Sequence, residues 1–455
     1  MFDLYGTLLD RFLFPAFEAA RGRPTVSLLR HLEATQWWSL AQLRDLQTGY
    51  LRRLLRHAYR HTAYYRELFD AHGIDPDRIR DVSEIARIPL LTRDIAQRTT
   101  DERLASAPPK VAIRKASSGT TGQPVVVMYN AESRHWRDAT RWRGYGWAGY
   151  RIGMRALHYW AAPLQSTPKW ARFKADVDHF LKRDRYVDSS PRGEDALAAA
   201  VQSLQKFEPE VIVGYSQGMA AWARFVNERK LRTWGPIPVL CGAERLLPHD
   251  REAIREAFGE PFETYGCREV MLIGAECDQH DGMHTSMETM IVEIVVREAD
   301  GTMRLARPGE SGEVAVTDLH NLAGPLIRYL TGDLAVARTE EVCECGRTMP
   351  RIGPIEGRVT ETLHDGQGRP VSGLLFSILF VPLATAATQF QVVQKKDRSV
   401  VLRLVPKNGK LEPQAEQIAR DFVAKYLPGC PFQIEQVADI PSTSAGKRRI
   451  VVVET

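Results

Sequence analysis

The sequence predicts an α/β protein: a large, multi-layer α/β N-terminal domain followed by a smaller α+β domain. From Val211 to Ala243, apolar runs alternate with helical periodicity: Val211-Ile212-Val213-Gly214-Tyr215, a helix around Met219 to Arg229, then Val239-Leu240-Cys241-Gly242. Strands separated by helices imply parallel pairing, and glycines ending such strands are where ligands bind in α/β sheets. The chain has 455 residues, enough for two or three compact units. From about residue 359 the pattern changes: a Gly-rich hairpin at Asp365-Gly366-Gln367-Gly368, strands at Gln389–Val393 and Val400–Val405, and a helix from Pro413 to Tyr426. These features set domains at 1–358 and 359–455.

Residues 1–100 read as a mainly helical entry region. Leu43, Leu46, Leu51, Leu54 and Leu55 recur at helical spacing with Arg52, Arg53 and Arg56 between them, so an amphipathic helix runs towards Ala58. His57, His61 and Tyr64-Tyr65-Arg66 follow as its end and packing aromatics, and Arg93 reads as a solvated arginine, with reach to a phosphate as the alternative. Next comes Lys115-Ala-Ser-Ser-Gly-Thr-Thr-Gly-Gln-Pro124, four hydroxyl residues split and flanked by glycines. Its backbone amides can approach an anion closely and its hydroxyls can donate, which is phosphate-binding chemistry, although an isolated Ser/Gly turn has the same letters. It is not a Walker A loop, because no Gly-Lys-Ser/Thr closes it and the apolar Val125-Val126-Val127 follows as a strand. An aromatic segment follows, with Trp136, Trp142, Tyr145, Trp147, Tyr150, Tyr159 and Trp160. Such rings are either core or the lining of an acyl pocket; with Tyr215, Met219, Trp222 and Phe225, the residues Trp136 and Trp142 are candidates for the latter.

Composition narrows the function classes. Net charge is +5 with acidic and basic residues interleaved, so no stripe suggests nucleic acid, and the mild excess suits polyanionic small ligands. The start, Met-Phe-Asp-Leu-Tyr-Gly, has no basic region ahead of an apolar run and does not resemble a secretory leader. The apolar run Leu374 to Ala387 is shorter than a bilayer span and contains Pro382, so a buried helix and turn are expected. Six cysteines, two of them spaced Cys343-Glu-Cys345, fit a reducing, cytoplasmic compartment with metal ligation better than a disulfide framework. Cys277, the histidines His280 and His284, and the Cys343/Cys345 pair supply three thiols and an imidazole, the donor set of a closed tetrahedral zinc site. Oligomeric state is open, a homodimer included.

Beyond the hydroxyl-glycine loop, five motifs then stand in one order: Tyr265-Gly266-Cys267-Arg268-Glu269, Gly312-Glu313-Val314-Ala315-Val316-Thr317, Ile327-Arg328-Tyr329-Leu330-Thr331-Gly332-Asp333, Gly357-Arg358, and Ser444-Ala445-Gly446-Lys447-Arg448-Arg449. In this order they resemble the adenylate-forming ligase superfamily, specifically its phenylacetate-CoA ligase branch and CapK-type members. The resemblance implies that Ser117, Ser118, Gly119, Thr120, Thr121 and Gly122 hold the ATP triphosphate. It implies that Gly242, Ala243, Glu244, Tyr265 and Gly266 surround adenine, that Glu269 ligates magnesium, and that Asp333 and Arg358 bind the ribose. Lys447 is implied as the catalytic lysine, on a small domain that rotates about a hinge near Thr360. The implied activity is ATP-dependent activation of a carboxylic acid to an acyl-adenylate, then transfer to coenzyme A or, alternatively, to an amine. With no basic partner for a second carboxylate in view, an aromatic or apolar acid is expected. The branch shares the Cys…His…Cys-x-Cys pattern, and His284, which follows Gly282 in the matching position, is preferred over His280 as the fourth structural zinc ligand. Arg268 stands where many such ligases have threonine, and Leu330 where many have arginine.

Overall fold

The computed structural model describes residues 3–106, 111–116, 125–160, 169–189, 193–298, 300–358, 362–368, 370–372, 376, 383, 386–407, 409–441 and 450–454. Two compact units emerge, one of residues 1–331 with 336–354, the other of residues 332–335 with 355–455.

The first unit begins with helices α1 (Leu4–Leu8) and α2 (Phe14–Ala20), joined by a π-helical turn at Leu9–Leu13, then α3 (Thr25–Thr35), α4 (Leu40–His61), α5 (Ala63–Ala71) and α6 (Arg93–Arg98). The amphipathic stripe read from the sequence is α4. Ser39 and Gln42 close a capping box at its start, and Arg60 and His61 lie in its last turn, where cations oppose the helix dipole. Leu51, Leu54, Leu55 and Ala58 are fully buried against Tyr65, Phe69 and Leu319.

Strands β1 (Val111–Ala116) and β2 (Val126–Asn130) pair antiparallel, Ala116 opposite Val126, on either side of the hydroxyl-glycine segment. After α7 (Ala131–Gly146) strands and helices alternate, over 211–243 as predicted and also before it: β3 (Ala156–Trp160), α8 (Lys169–Lys182), β4 (Asp184–Asp188), α9 (Glu194–Phe207), β5 (Val211–Tyr215), α10 (Ser216–Glu228), β6 (Val239–Gly242), α11 (Pro248–Ala257) and β7 (Pro261–Cys267). These strands lie parallel in the order β4-β3-β5-β6-β7. Trp222, Met219, Tyr159 and Phe258 form the packed layer between α10, α11 and the sheet.

Beyond β7 the pairing changes. β8 (Met271–Glu276) returns antiparallel to β7, and β9 (Met283–Thr285) antiparallel to β8. Only three residues separate β7 from β8, too few for the crossover that parallel neighbours need. The sheet continues through β10 (Met290–Arg297), β11 (Met303–Leu305), β12 (Ser311–Asp318), β13 (Tyr329–Ala337) and β14 (Arg351–Arg358), giving the order β11-β10-β12-β13-β14-β9-β8-β7.

In the second unit, β15 (Thr362–His364) and β16 (Pro370–Ser372) form the expected hairpin. A four-stranded sheet, ordered β19 (Phe432–Gln436), β18 (Val400–Pro406), β17 (Ala387–Gln394), β20 (Val451–Val453), packs with α12 (Pro413–Tyr426). Its core joins Val392, Leu402 and Leu404 to Ala415, Ala419 and Val423. Most of the Leu374 segment lies outside the described residues.

Candidate active site and metal centre

The end of β6 supplies the first wall of the candidate site. A Cβ on Gly242 would sit 2.6 Å from Thr264 Oγ1 on the neighbouring strand, so glycine is required there. Ala243 takes φ +64°, the left-handed conformation that turns the chain out of the sheet. Ser216 at the start of α10 donates through Oγ to the Glu244 carbonyl at 2.7 Å, and the Gln217 N–H donates to Glu244 Oε2 at 3.1 Å. The loop is thereby tied to a helix N-terminus.

β7 supplies the second wall. Tyr265 is buried, its hydroxyl 3.2 Å from Thr331 Oγ1. The register between β7 and β8 shifts at Tyr265/Gly266, and a Cβ on Gly266 would run into the Met271 carbonyl. Met271 itself takes φ +69°. This tight bulge carries Glu269, which is only 6% exposed. The Tyr329 hydroxyl donates to Glu269 Oε1 at 3.3 Å, and Arg93 Nη1 lies 3.7 Å from the same oxygen. Burial, then the Glu269 charge, pushes the Tyr329 ionisation well up, so the hydroxyl stays a donor. Arg93 reaches this position because Leu91 is stitched beside β13: its N–H donates to the Arg328 carbonyl at 2.9 Å and its carbonyl accepts from Leu330 at 3.0 Å. Thr92 then caps α6, and Arg93 is its first residue. Arg328 is committed to the core, with two hydrogen bonds to Glu293 at 2.9 and 2.8 Å. In the second unit, Arg358 Nε donates to Asp333 Oδ1 at 3.1 Å.

The metal-ligand cluster lies in the first unit. The ligand atoms of Cys277, His284, Cys343 and Cys345 all fall within 4.8 Å of one another. Cys277 Sγ is 3.8 Å from Cys343 Sγ, and Cys345 Sγ is 3.4 Å from His284 Nε2. Zinc bonds of about 2.3 Å to sulfur and 2.0–2.1 Å to nitrogen give tetrahedral edges of about 3.8 and 3.5 Å, so the donor set fits that ion. His284 Nδ1 lies 3.2 Å from the Met349 carbonyl, which orients the ring with Nε2 towards the thiols. Burial pushes the His284 imidazole down to about 4, so it is neutral and able to ligate. Burial opposes ionisation of Cys345, yet the backbone N–H and guanidinium of Arg347 hold its thiol below the ordinary range. Gly346, at φ +84°, lets its N–H close on the Cys343 carbonyl at 2.8 Å and forms a knuckle. His280 stands apart, its Nδ1 3.1 Å from Glu276 and its Nε2 3.4 Å from Glu260. The knuckle also grips the entry helices: Arg347 donates to Gln36 at 3.1 Å, and Trp147 donates to the same oxygen at 2.9 Å.

Known proteins give this geometry a family. The chain is 30% identical over 336 residues to phenylacetate-coenzyme A ligase of Thermus thermophilus, an alignment covering 71% of this chain and 72% of that one. The chain belongs to the phenylacetate-CoA ligase family of adenylate-forming ligases. Protein CapK of Staphylococcus aureus is 22% identical, with 90% and 88% of the two chains aligned, and residues 363–454 of this ligase match the CapK C-terminal domain family. Its fold is that of a 2-hydroxyisobutyryl-CoA ligase captured after adenylation, with TM-score 0.72, 18% identity and 92% of each chain covered.

In this ligase the predicted residues divide by location. Gly242, Ala243, Glu244, Tyr265, Gly266 and Glu269 come from adjoining strand ends of one sheet, and Asp333 meets Arg358 in the smaller unit. Ser117–Gly122 and Lys447 lie outside the described residues, as does Thr360. The aromatic candidates do not converge. Trp136 stacks on His320 at 4.2 Å in a core with Leu32, Trp142 packs with Tyr150, and Met219 fills the layer beneath β5. Tyr215 instead stacks on Trp160, ring centres 3.9 Å apart, at the C-terminal ends of β5 and β3, next to Ser216, which binds the Glu244 loop. The contacts of Arg93 and Tyr329 with Glu269 were not read from the sequence, because a single arginine or tyrosine carries no local sign of its partner.

Proposed function

We propose that this ligase activates a carboxylic acid with ATP and passes the acyl group to coenzyme A. The acid's carboxylate oxygen forms a bond to the α-phosphorus as the bond to pyrophosphate breaks; the acceptor sulfur then bonds to the acyl carbon and AMP leaves. The buried Glu269, held by Tyr329 and Arg93 at the bulge after Tyr265, is the observation that carries this reading. Two anions must meet in the first step, so preorganised positive charge should supply most of the catalysis. Glu269 is the residue that would hold magnesium, a hard ion that takes one or two carboxylates with phosphate oxygens and would supply charge neutralisation there. Tyr265 would pack on adenine with Gly242, Ala243 and Glu244, Ser117–Gly122 would cradle the phosphates, and Asp333 with Arg358 would take the ribose hydroxyls. The names of the curated relatives support coenzyme A as acceptor. An aromatic or apolar monocarboxylic acid is proposed, with the Tyr215–Trp160 stack as one wall of its pocket. Pyrophosphate release should be measured with ATP and a panel of aromatic and fatty acids, with and without coenzyme A. Release that needs an acid and yields a thioester only with coenzyme A is expected; none with any acid would overturn the reading, and an amide product with an added amine would redirect its second step.

The Cys277, His284, Cys343 and Cys345 cluster is proposed to hold one structural zinc, because four protein donors leave no open position for catalysis. Among the described residues no disulfide joins any of the six cysteines, which supports work in a reducing, cytoplasmic compartment. Protein purified without chelator should contain one zinc per chain. Less than half an equivalent would rule the site out.

A further inference from the structure

Ten of the fourteen large apolar side chains that stand exposed among the described residues come from two segments, residues 4–13 and 170–186. On the first, Leu4, Leu8 and Phe12 recur every four residues and are 81%, 43% and 64% exposed. On α8, Trp170, Val177 and Leu181 fall within about 40° of one helical face, with Phe180 beside them at 80% exposure. The chain fastens the two segments together. The Tyr5 hydroxyl donates to the Leu181 carbonyl at 2.9 Å, and Arg183 pairs with Asp3 while donating to the Gly153 carbonyl at 2.8 Å. Gly153 takes φ +93°, and a Cβ there would run into the Gly6 carbonyl, so two glycines let α1 lie against this turn. Specific contacts thus hold an apolar face towards solvent. At about 150–250 Å² for a fully exposed aromatic side chain, the face is on the order of 1,000 Å², larger than the apolar patches ordinary monomers tolerate.

We propose that this face docks the chain onto an anionic membrane surface, on which it lies without crossing. Its rings, Tyr5, Trp170 and Tyr186 among them, are of the types that settle at the headgroup level, with Leu and Phe beneath. Its charge selects the occupant. Residues 169–185 carry six lysines and arginines against three aspartates, so even with Lys182 paired to Asp178 and Arg183 to Asp3 the segment keeps a net positive charge. Arg11 and Arg151 add positive charge around Asp10 in the neighbouring turn. A second copy seated symmetrically on the same patch would bring two like net charges together, whereas anionic headgroups complement them. No helix among the described residues is long and apolar enough to span a bilayer. This inference is independent of the acid the enzyme uses.

Flotation of the full chain with vesicles of equal phosphatidylglycerol and phosphatidylcholine, against phosphatidylcholine alone, tests it. Association with the anionic vesicles is expected, weakening at least about tenfold between 0.05 and 0.5 M NaCl. The double variant Phe12→Ser, Phe180→Ser should lose at least about tenfold in partition. Its melting midpoint should not move, because both side chains are already mostly in water. Four results would each overturn the proposal: no flotation on anionic vesicles, equal flotation on neutral ones, equal partition of parent and variant, or a parent dimer that the variant splits without any flotation.

Discussion

At the scale of single residues, the chemistry is expected to turn on Lys447. An ammonium brought to the reacting carboxylate and phosphates meets charge at its greatest in the transition state. Lys447→Ala should therefore lower acid-dependent pyrophosphate release by at least about a hundredfold, while transfer from a preformed acyl-adenylate to coenzyme A changes far less. Equal loss in both half-reactions would show that the lysine does not leave after adenylation; no loss in either would remove it from catalysis. Glu263, on β7 one turn of the pleat before Tyr265, makes a different prediction. Burial, then the neighbouring Glu276, pushes its carboxyl up to about 7 from an ordinary 4.5. Arg251 relieves this only in part, because its guanidinium is bonded to Glu276 at 2.8 and 2.9 Å. The folded chain keeps a proton on Glu263 that the unfolded chain releases above pH 4.5. The associated stability is complete below that pH and is lost as pH rises through 7, about 3 kcal/mol in all. Glu263→Gln should accordingly unfold at higher urea than the parent at pH 8 and at the same urea near pH 4.5. A difference that stays constant across this range would show that Glu263 does not titrate in the fold.

At the scale of elements, the proposed zinc knuckle would act as a fastener. It joins the loop after β8 to the loop before β14, and through Arg347 and Trp147 it reaches Gln36 at the end of α3. Losing the ion would leave two buried thiols, the half-buried Cys345 and a buried histidine without their common partner and free those loops. Cys343→Ser should remove the zinc and lower the melting midpoint by about 5 °C or more, with a similar fall in the parent after exhaustive chelation. A variant that loses zinc and melts with the parent would leave the site without a structural role. The donor set was legible in the sequence because Cys-x-Cys is a local pattern. The choice between His280 and His284 was not, since both lie within a few residues of Cys277. Strand pairing resolves it: β9 places His284 opposite Ala275 of β8 and Arg351 of β14. His280, in the turn ahead of β9, is taken by Glu276 and Glu260.

For the whole molecule, two units with separate cores imply separable roles. A chain ending after Arg358 should fold, bind its zinc and release pyrophosphate at least about a hundredfold more slowly, because Lys447 is gone; release at the parent rate would place the catalytic lysine elsewhere. Local periodicity determined α4, β5, β6 and α12, because each buries one face and that face is written in residues a turn or a pleat apart. Parallel pairing of β5 with β6 followed from the helix between them, and the order of motifs that marks the family is a string of local patterns; the places of β3 and β4 came only from the structure. Other features were decided only by tertiary structure. Arg93 and Glu269 are separated by more than 170 residues, and they meet because Leu91 is hydrogen-bonded alongside β13. Trp136, Trp142 and Met219 looked alike as apolar rings and chains at helical spacing, yet they pack into three different cores. A side chain's type sets how much it gains by leaving water; which neighbours receive it depends on the layer and face where its backbone is held, and distant segments of the chain settle that.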